Sequence, residues 1–234
     1  MSKLKILLHD LGSCEGCQIS ILRVYPRLTA FAELYSRYLG NHTLNGKFDV
    51  AVVTGSVCIN EPRIIEELKK IRENTHILIA YGSCASVGGV TLFARGGKEP
   101  RPEHRTYFPL SHVVEVDYAI PGCPSAPTFL VNLLNMIMRS GGHFLTLFVA
   151  VAKAKKLSGF DLQDEIVLPG LCIGCGACVL SCPTHALQMV DGRPDLLPEK
   201  CIRCGTCVVR CPRYSQLLIQ KFKPKVKTLQ PLRR

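Results

Sequence analysis

The chain has 234 residues, a formal charge of +11 and 13 cysteines, and its length suits one large domain or two smaller ones. Eight of the cysteines fall in two tightly spaced runs, which points to metal or cluster ligation in a reducing compartment and away from a secreted disulfide scaffold. The N-terminus, MSKLKILLHD, has no adequate apolar h-region and no twin arginine, and the longest apolar run, FLTLFVAVA from Phe144, is too short to cross a bilayer; a cytoplasmic chain without a membrane span is expected.

Residues 4–9, LKILLH, form an apolar run of strand length. The loop DLGSCEGCQIS follows, then helix-like sequence to about Leu39, which Pro26 divides because its ring excludes an interior hydrogen bond. A second buried strand, DVAVV at 49–53, ends in TGSVC. Asn60 can cap a helix with Pro62 in its first turn, and Ile64, Ile65, Leu68 and Ile71 share one face of it. A third strand, HILIAY, ends in GSCAS. After a loop rich in Gly, Pro and Arg comes VVEVDYAI, ending in PGCPSAP, and a helix over about 127–139.

Short apolar runs alternating with helices predict an α/β fold with a doubly wound, flavodoxin-like parallel sheet. Every strand ends in a cysteine-bearing loop: Cys14 and Cys17, then Cys58, Cys84 and Cys123. Ligands of open α/β sheets bind beyond the carboxyl ends of the strands, so these thiols converge at one edge as a metal or cluster site. Cys14 and Cys17 supply a local C-x2-C pair. Cys84 and Cys123 each lie between Gly or Ser and a turn, which leaves backbone N–H groups free to point at a cluster. Cys58, between Val57 and Ile59, reads either as a fifth participant or as a buried, inert thiol near the site. Residues 140–167, with a helix over 144–157, read as a packed connector.

Residues 172–211 read CIGCGACVLSCP and then CIRCGTCVVRCP, an internal repeat at an offset of 29. Each half is C-x2-C-x2-C-x3-C-P, the bacterial-ferredoxin run in which the fourth cysteine serves the other cluster. That assigns Cys172, Cys175, Cys178 and Cys211 to one 4Fe-4S cluster and Cys201, Cys204, Cys207 and Cys182 to a second. Two zinc ribbons are the competing reading; two four-cysteine runs, each closed by Cys-Pro, argue against it. The expected organisation is thus an α/β unit over 1–139, a connector over 140–167, a small α+β ferredoxin domain over 168–215 and a basic tail over 216–234. The tail, KFKPKVKTLQPLRR, lacks the aromatic interleaving of a nucleic-acid groove and reads as a solvated or subunit-contacting segment, so no nucleic acid is expected as a partner.

The set LGSCEGCQ, VTGSV, YGSCAS and IPGCPSAP resembles the small subunit of NiFe hydrogenases over residues 3 to about 139. The C-terminal ferredoxin unit resembles the cytoplasmic branch of that family, which includes the type reducing the deazaflavin coenzyme F-420. The resemblance implies a proximal 4Fe-4S cluster on Cys14, Cys17, Cys84 and Cys123, hence three clusters in all. It also implies a NiFe-hydrogenase large subunit beside that edge and a flavin-containing acceptor subunit as partners. Two positions depart from the family: Thr54 stands where an acidic residue usually precedes Gly-Ser, and Glu15 lies between the paired cysteines where Thr is common. The complex I subunit that holds its last cluster is a distant relative with two adjacent cysteines, unlike Cys14 and Cys17. The function expected is a non-catalytic electron-transfer subunit of an oxidoreductase. The alternative is a relay subunit of a formate dehydrogenase or heterodisulfide reductase assembly. Among the histidines, His9 at the end of the first strand reads as structural, His185 as a surface position, and His104 and His112 as polar-loop residues without a second ligand at metal spacing.

Overall fold

The computed structural model describes residues 3–92, 106–139, 141, 143–154, 157–223 and 225–229. The chain opens with β1 (Leu4–Asp10), α1 (Gly16–Leu22), α2 (Tyr25–Thr29), β2 (Ala32–Tyr35) and β3 (Phe48–Thr54). It continues through β4 (Val57–Cys58), α3 (Pro62–Glu73), β5 (Thr75–Tyr81), α4 (Ser83–Val87), α5 (Gly89–Leu92), β6 (Tyr107–Phe108) and β7 (Tyr118–Ile120). Five strands form one parallel sheet in the order β2-β1-β3-β5-β7. The direction of winding reverses between β1 and β3, so this is the doubly wound, flavodoxin-like order.

Both faces of the sheet are covered, as a parallel sheet requires. Ile6, Leu8, Val50, Val52, Ile77 and Ile79 pack on one side with Ile21 of α1 and Leu28 of α2. On that side they also meet α6 (Pro127–Met138), which buries Leu130, Val131, Leu133, Leu134 and Ile137. Each of those side chains contributes about 1.5–3 kcal/mol relative to exposure. Leu7, Ala51, Val53, Leu78 and Ala80 face the other way, against Leu68 and Ile71 of α3. The helix α7 (His143–Ala154) lies beside β7 and feeds both layers, Phe148 to the first and Val151 to the second.

Beyond α7 come α8 (Gly159–Leu162), a π-helical turn over Gln163–Val167, α9 (Ala177–Leu180), the antiparallel hairpin β8 (Leu187–Val190) and β9 (Arg193–Leu196), α10 (Thr206–Arg210) and α11 (Pro212–Phe222). Leu162, Ile166, Cys178, Leu187, Cys207, Val208, Tyr214 and Leu218 belong to the same buried cluster as the α3 face of the sheet. Leu157, Leu162 and Ile166, in the segment that leads to the cysteine repeat, are therefore part of the core. The chain then returns to the sheet: Leu229 is buried, Tyr118 Oη donates to the Lys227 carbonyl at 2.5 Å, and Lys227 Nζ lies 3.4 Å from Asp117 Oδ1. That part of the basic tail is pinned to its own chain.

Three local readings change. Residues 32–35, expected as helix, are the edge strand β2, with Ala32 and Leu34 buried and Glu33 exposed in alternation. The last sheet strand is confined to 118–120, because Asp117 uses its carboxylate to accept the Leu78 N–H at 2.8 Å and the ladder stops there. The α3 N-cap is Glu61, without a side-chain hydrogen bond, not Asn60. Among the described residues, no helix is long and apolar enough to cross a membrane.

Candidate iron–sulfur sites

The carboxyl ends of β1, β5 and β7 deliver Cys14 and Cys17, Cys84, and Cys123 to one edge. Cys17 sits in the first turn of α1 and Cys84 in that of α4. The loop carrying Cys14 is held from below. Gln18 Nε2 donates to Thr54 Oγ1 at 2.8 Å, Thr54 Oγ1 donates to Asp10 Oδ1 at 2.7 Å, and Ser13 N–H donates to Asp10 Oδ2 at 3.2 Å. Thr54 is thus a buried link to a neighbouring carboxylate. Gly82, with φ +91°, brings bare backbone to the site: a Cβ there would lie 2.4 Å from Cys17 Sγ. Ser125, whose carbonyl accepts from Ser20 Oγ at 2.6 Å and Tyr81 Oη at 2.9 Å, offers its backbone N–H to Cys17.

The thiols of this edge act on one another. Burial pushes Cys17, Cys84 and Cys123 up to about 11, and the nearby cysteines push in the same direction: Cys123 and Cys14 on Cys17, Cys17 and Cys14 on Cys84, Cys84 and Cys14 on Cys123. Left to themselves these groups are neutral thiols at pH 7. Only a positive group among them makes several adjacent thiolates stable, so the donor set fits an iron–sulfur cluster. Among the described residues no three His, Cys, Asp or Glu side chains crowd to the spacing of a single ion; a cubane, with four irons between its thiolates, asks for a wider ring.

In the repeat, the structure groups the cysteines across the two halves. Cys211 is pushed up first by burial and then by Cys175 and Cys172. Cys178, at about 11, feels burial first, then Cys211 and Cys172. The other set, Cys182, Cys201, Cys204 and Cys207, lines one cavity with Gly159, Leu187 and Leu196. A Cβ on Gly159 would fall 3.4 Å from Cys201 Sγ. Backbone N–H groups point at sulfur in both: Gly174 to Cys172 at 3.4 Å, Ala186 to Cys182 at 3.2 Å and Tyr214 to Cys211 at 3.5 Å. Bonds of this kind orient a thiolate and tune its charge wherever a cluster is bound.

The two regions meet through Ser83. Its Oγ donates to the Cys204 carbonyl at 2.6 Å and accepts the Gly122 N–H at 2.9 Å, so one hydroxyl ties the Cys84 and Cys123 loops to the repeat. Cys204 adds to the upward push on Cys123, and Cys178 to that on Cys207, whose thiol is raised well above its ordinary value first by burial. Proximity therefore runs in a line: the sheet-edge set, then Cys182/Cys201/Cys204/Cys207, then Cys172/Cys175/Cys178/Cys211. Cys14 and Cys175 at the two ends are exposed, whereas Cys201, Cys204 and Cys207 in the middle are buried.

Other sequence candidates lie elsewhere. Cys58 is buried in the β4–β6 ribbon opposite Tyr107 and contributes to none of the shifts of Cys17, Cys84 or Cys123. Glu15 is exposed, in left-handed backbone at the start of α1, and hydrogen-bonds Tyr38. His9 is buried, with Nδ1 2.9 Å from His42 Nε2 and Nε2 3.4 Å from Glu67 Oε1 without hydrogen-bond alignment. Burial, His42 and Arg37 lower its pKa to about 4, so it is neutral. His112 stacks on Phe108, His185 is exposed, and His104 lies outside the described residues. Sequence reasoning did not single out Ser83, Ser125, Tyr81, Asp10 or Gln18; their hydroxyls, carboxylate and amide act across 36 to 121 residues of chain, and only the Ser next to Cys84 gave any local signal.

Fold and cysteine sets together define an iron–sulfur protein built on a doubly wound sheet. The model of the NADH ubiquinone oxidoreductase 20 Kd subunit family matches residues 14–137, and that of the 4Fe-4S dicluster domain residues 165–212. The chain is 35% identical over 209 residues to coenzyme F420 hydrogenase subunit gamma of Methanosarcina barkeri, covering 82% of this chain and 81% of the relative. It is 33% identical to the subunit of the same name from Methanococcus voltae, covering 82% and 87%. It is also 28% identical to sulfhydrogenase 2 subunit delta of Pyrococcus furiosus, covering 81% and 86%. The chain belongs to the NADH ubiquinone oxidoreductase 20 Kd subunit family, among its members that resemble hydrogenase small subunits.

Proposed function

We propose that this chain is the electron-transfer subunit of a cytoplasmic NiFe hydrogenase. It relays electrons from a nickel–iron centre in a separate large subunit, across three 4Fe-4S clusters, to a flavoprotein that reduces a deazaflavin coenzyme. Each cluster supplies one-electron transfer without bond rearrangement. Cys14, Cys17, Cys84 and Cys123 hold the entry cluster, Cys182, Cys201, Cys204 and Cys207 the middle one, and Cys172, Cys175, Cys178 and Cys211 the exit one. The observation that carries the reading is the Ser83 bridge, which couples the Cys123 loop to Cys204. The chain's own work is to fix spacing, exclude water from the middle set and present one exposed cysteine at each end. In this reading residues 1–139 receive the electron and 168–215 pass it on, with 140–167 as the connector between them.

Anaerobic co-purification with iron, sulfide and nickel quantified, and hydrogen-dependent dye reduction assayed, tests it. About twelve iron per chain, nickel in a partner and hydrogen uptake is the expected result. About twelve iron with no nickel keeps the relay and removes the hydrogenase, leaving a formate dehydrogenase or heterodisulfide reductase type of assembly. About eight iron overturns the sheet-edge cluster.

A further inference from the structure

The two halves of the repeat are not equivalent at one position. Cys172-Ile173-Gly174-Cys175 aligns with Cys201-Ile202-Arg203-Cys204. Both third residues have left-handed backbone, Gly174 at φ +69° and Arg203 at φ +51°. Glycine suits that conformation and arginine does not. At Gly174 a side chain is excluded outright, because a Cβ would meet the Gly192 carbonyl oxygen at 2.8 Å. At Arg203 the chain instead holds a long cation in an unfavourable backbone state.

That cation lies where a charge matters. Arg203 lines the same cavity as Cys182, Cys201, Cys204 and Cys207, and among the residues lining it Arg203 is the one basic side chain. Its Cζ stands 4.6 Å from the centroid of Phe160, a cation–π contact that fixes the guanidinium in place. Phe160 adjoins Gly159, where a Cβ would meet Leu196 Cδ1 at 2.9 Å and Cys201 Sγ at 3.4 Å. Three of the four cysteines here are buried, while the outer sets each include an exposed one. Burial disfavours the reduced, more negative state of a cluster, and a fixed positive charge in a low-dielectric setting favours it. Arginine stays charged at any accessible pH.

We propose that Arg203 is an electrostatic tuning residue that raises the reduction potential of the middle cluster, so that the most buried station of the relay still accepts an electron from the entry side. The inference rests on the three-cluster reading above. The step it tunes is a one-electron reduction, the electron arriving from the Cys14/Cys17/Cys84/Cys123 site and leaving to the Cys172/Cys175/Cys178/Cys211 site, with no proton or bond change on Arg203.

The test is a potentiometric titration of the purified complex followed by electron paramagnetic resonance, with iron and sulfide counted on each sample. R203Q shifts the midpoint of one cluster to more negative potential and leaves the other two in place, and R203K, which restores the charge, recovers most of the shift. Unmoved midpoints in a fully loaded R203Q, or an equal shift in all three, overturn the role of Arg203 while leaving the relay intact. Wild-type protein with only two clusters overturns the relay itself. If R203Q does not load, F160L decides: it keeps the cation and removes its platform, so a smaller negative shift of one cluster is expected, and no shift refutes the idea.

Discussion

Gly82 offers the sharpest test of the sheet-edge site. Replacing it with alanine places a Cβ 2.4 Å from Cys17 Sγ, more than 1 Å inside the 3.5–4.0 Å at which non-bonded heavy atoms rest. Neither side can yield cheaply. Gly82 N–H donates to the Ile120 carbonyl at 2.8 Å, and its own carbonyl accepts from Ser86 N–H at 3.0 Å and Ser86 Oγ at 2.7 Å. Cys17 is held by α1 and by the Ser125 N–H. With φ +91° and ψ 160°, in a region all but reserved for glycine, the backbone adds about 1–3 kcal/mol for a residue with a Cβ, and overpacking of this kind costs about 1–3 kcal/mol. The sum, about 2–6 kcal/mol, reaches only the lower end of the 5–15 kcal/mol stability of a typical domain, so the sheet is expected to survive while the site does not. Iron in Gly82→Ala falls from about twelve to about eight per chain, with one set of cluster signals lost. Gly12→Ala is the control, because φ there is +109° but nothing lies within 4 Å of the added Cβ; it keeps its iron. A Gly82→Ala protein with full iron and unchanged spectra would refute the assignment of Cys17 to a cluster.

Two further outcomes follow from groups away from the cysteines. His9 has a pKa of about 4 against an ordinary 6.5, so the unfolded chain binds the proton first and stability is lost as pH falls from about 6.5 toward 4. That loss is about 3 kcal/mol, and His9→Gln flattens this part of the profile; denaturant midpoints at pH 7, 6, 5 and 4 measure it, and parallel profiles for the two proteins contradict it. Asp117 accepts from Arg72 Nη1 at 2.6 Å and from the Leu78 N–H at 2.8 Å, and pairs with Lys227. Asp117→Ala removes the only carboxylate that Arg72 pairs with among the described residues, leaving it backbone carbonyls such as those of Thr75 and His76, and strips the Leu78 N–H of its acceptor, a loss of about 3 kcal/mol; thermal unfolding reads it, limited trypsinolysis at Lys227 reads release of the tail, and a change below about 1 kcal/mol goes against the reasoning.

What the sequence made legible was whatever is written locally. The strands β1, β3 and β5 are continuous apolar runs because both faces of a parallel sheet are buried. The spacing of the two runs is what proposes the swapped cysteine sets. β2 was hidden because four residues of alternation, Ala-Glu-Leu-Tyr, are too few to outweigh helix-forming neighbours. Its strand character comes from pairing with Leu4–Leu7, almost thirty residues away. The end of β7 was hidden for a related reason: Val113, Val114 and Val116 look like strand, but Asp117 closes the ladder through a side chain. At the site, cysteines announced themselves. The serines, Tyr81 and the Asp10–Thr54–Gln18 chain did not, since hydroxyls and amides gain meaning only from what lies across the fold.

The shared apolar core beneath the sheet and the repeat has a consequence for life in a cell. Cys178, Cys207 and Cys211 pack in the same cluster as Leu68 and Leu78, so in the proposed reading a cluster bound there binds the folded chain and shifts its folding equilibrium by mass action. In that reading, chain made without its clusters forgoes this contribution and is less stable throughout, not only at its cofactor sites. Quality-control proteases, which sample the unfolded fraction, then remove it.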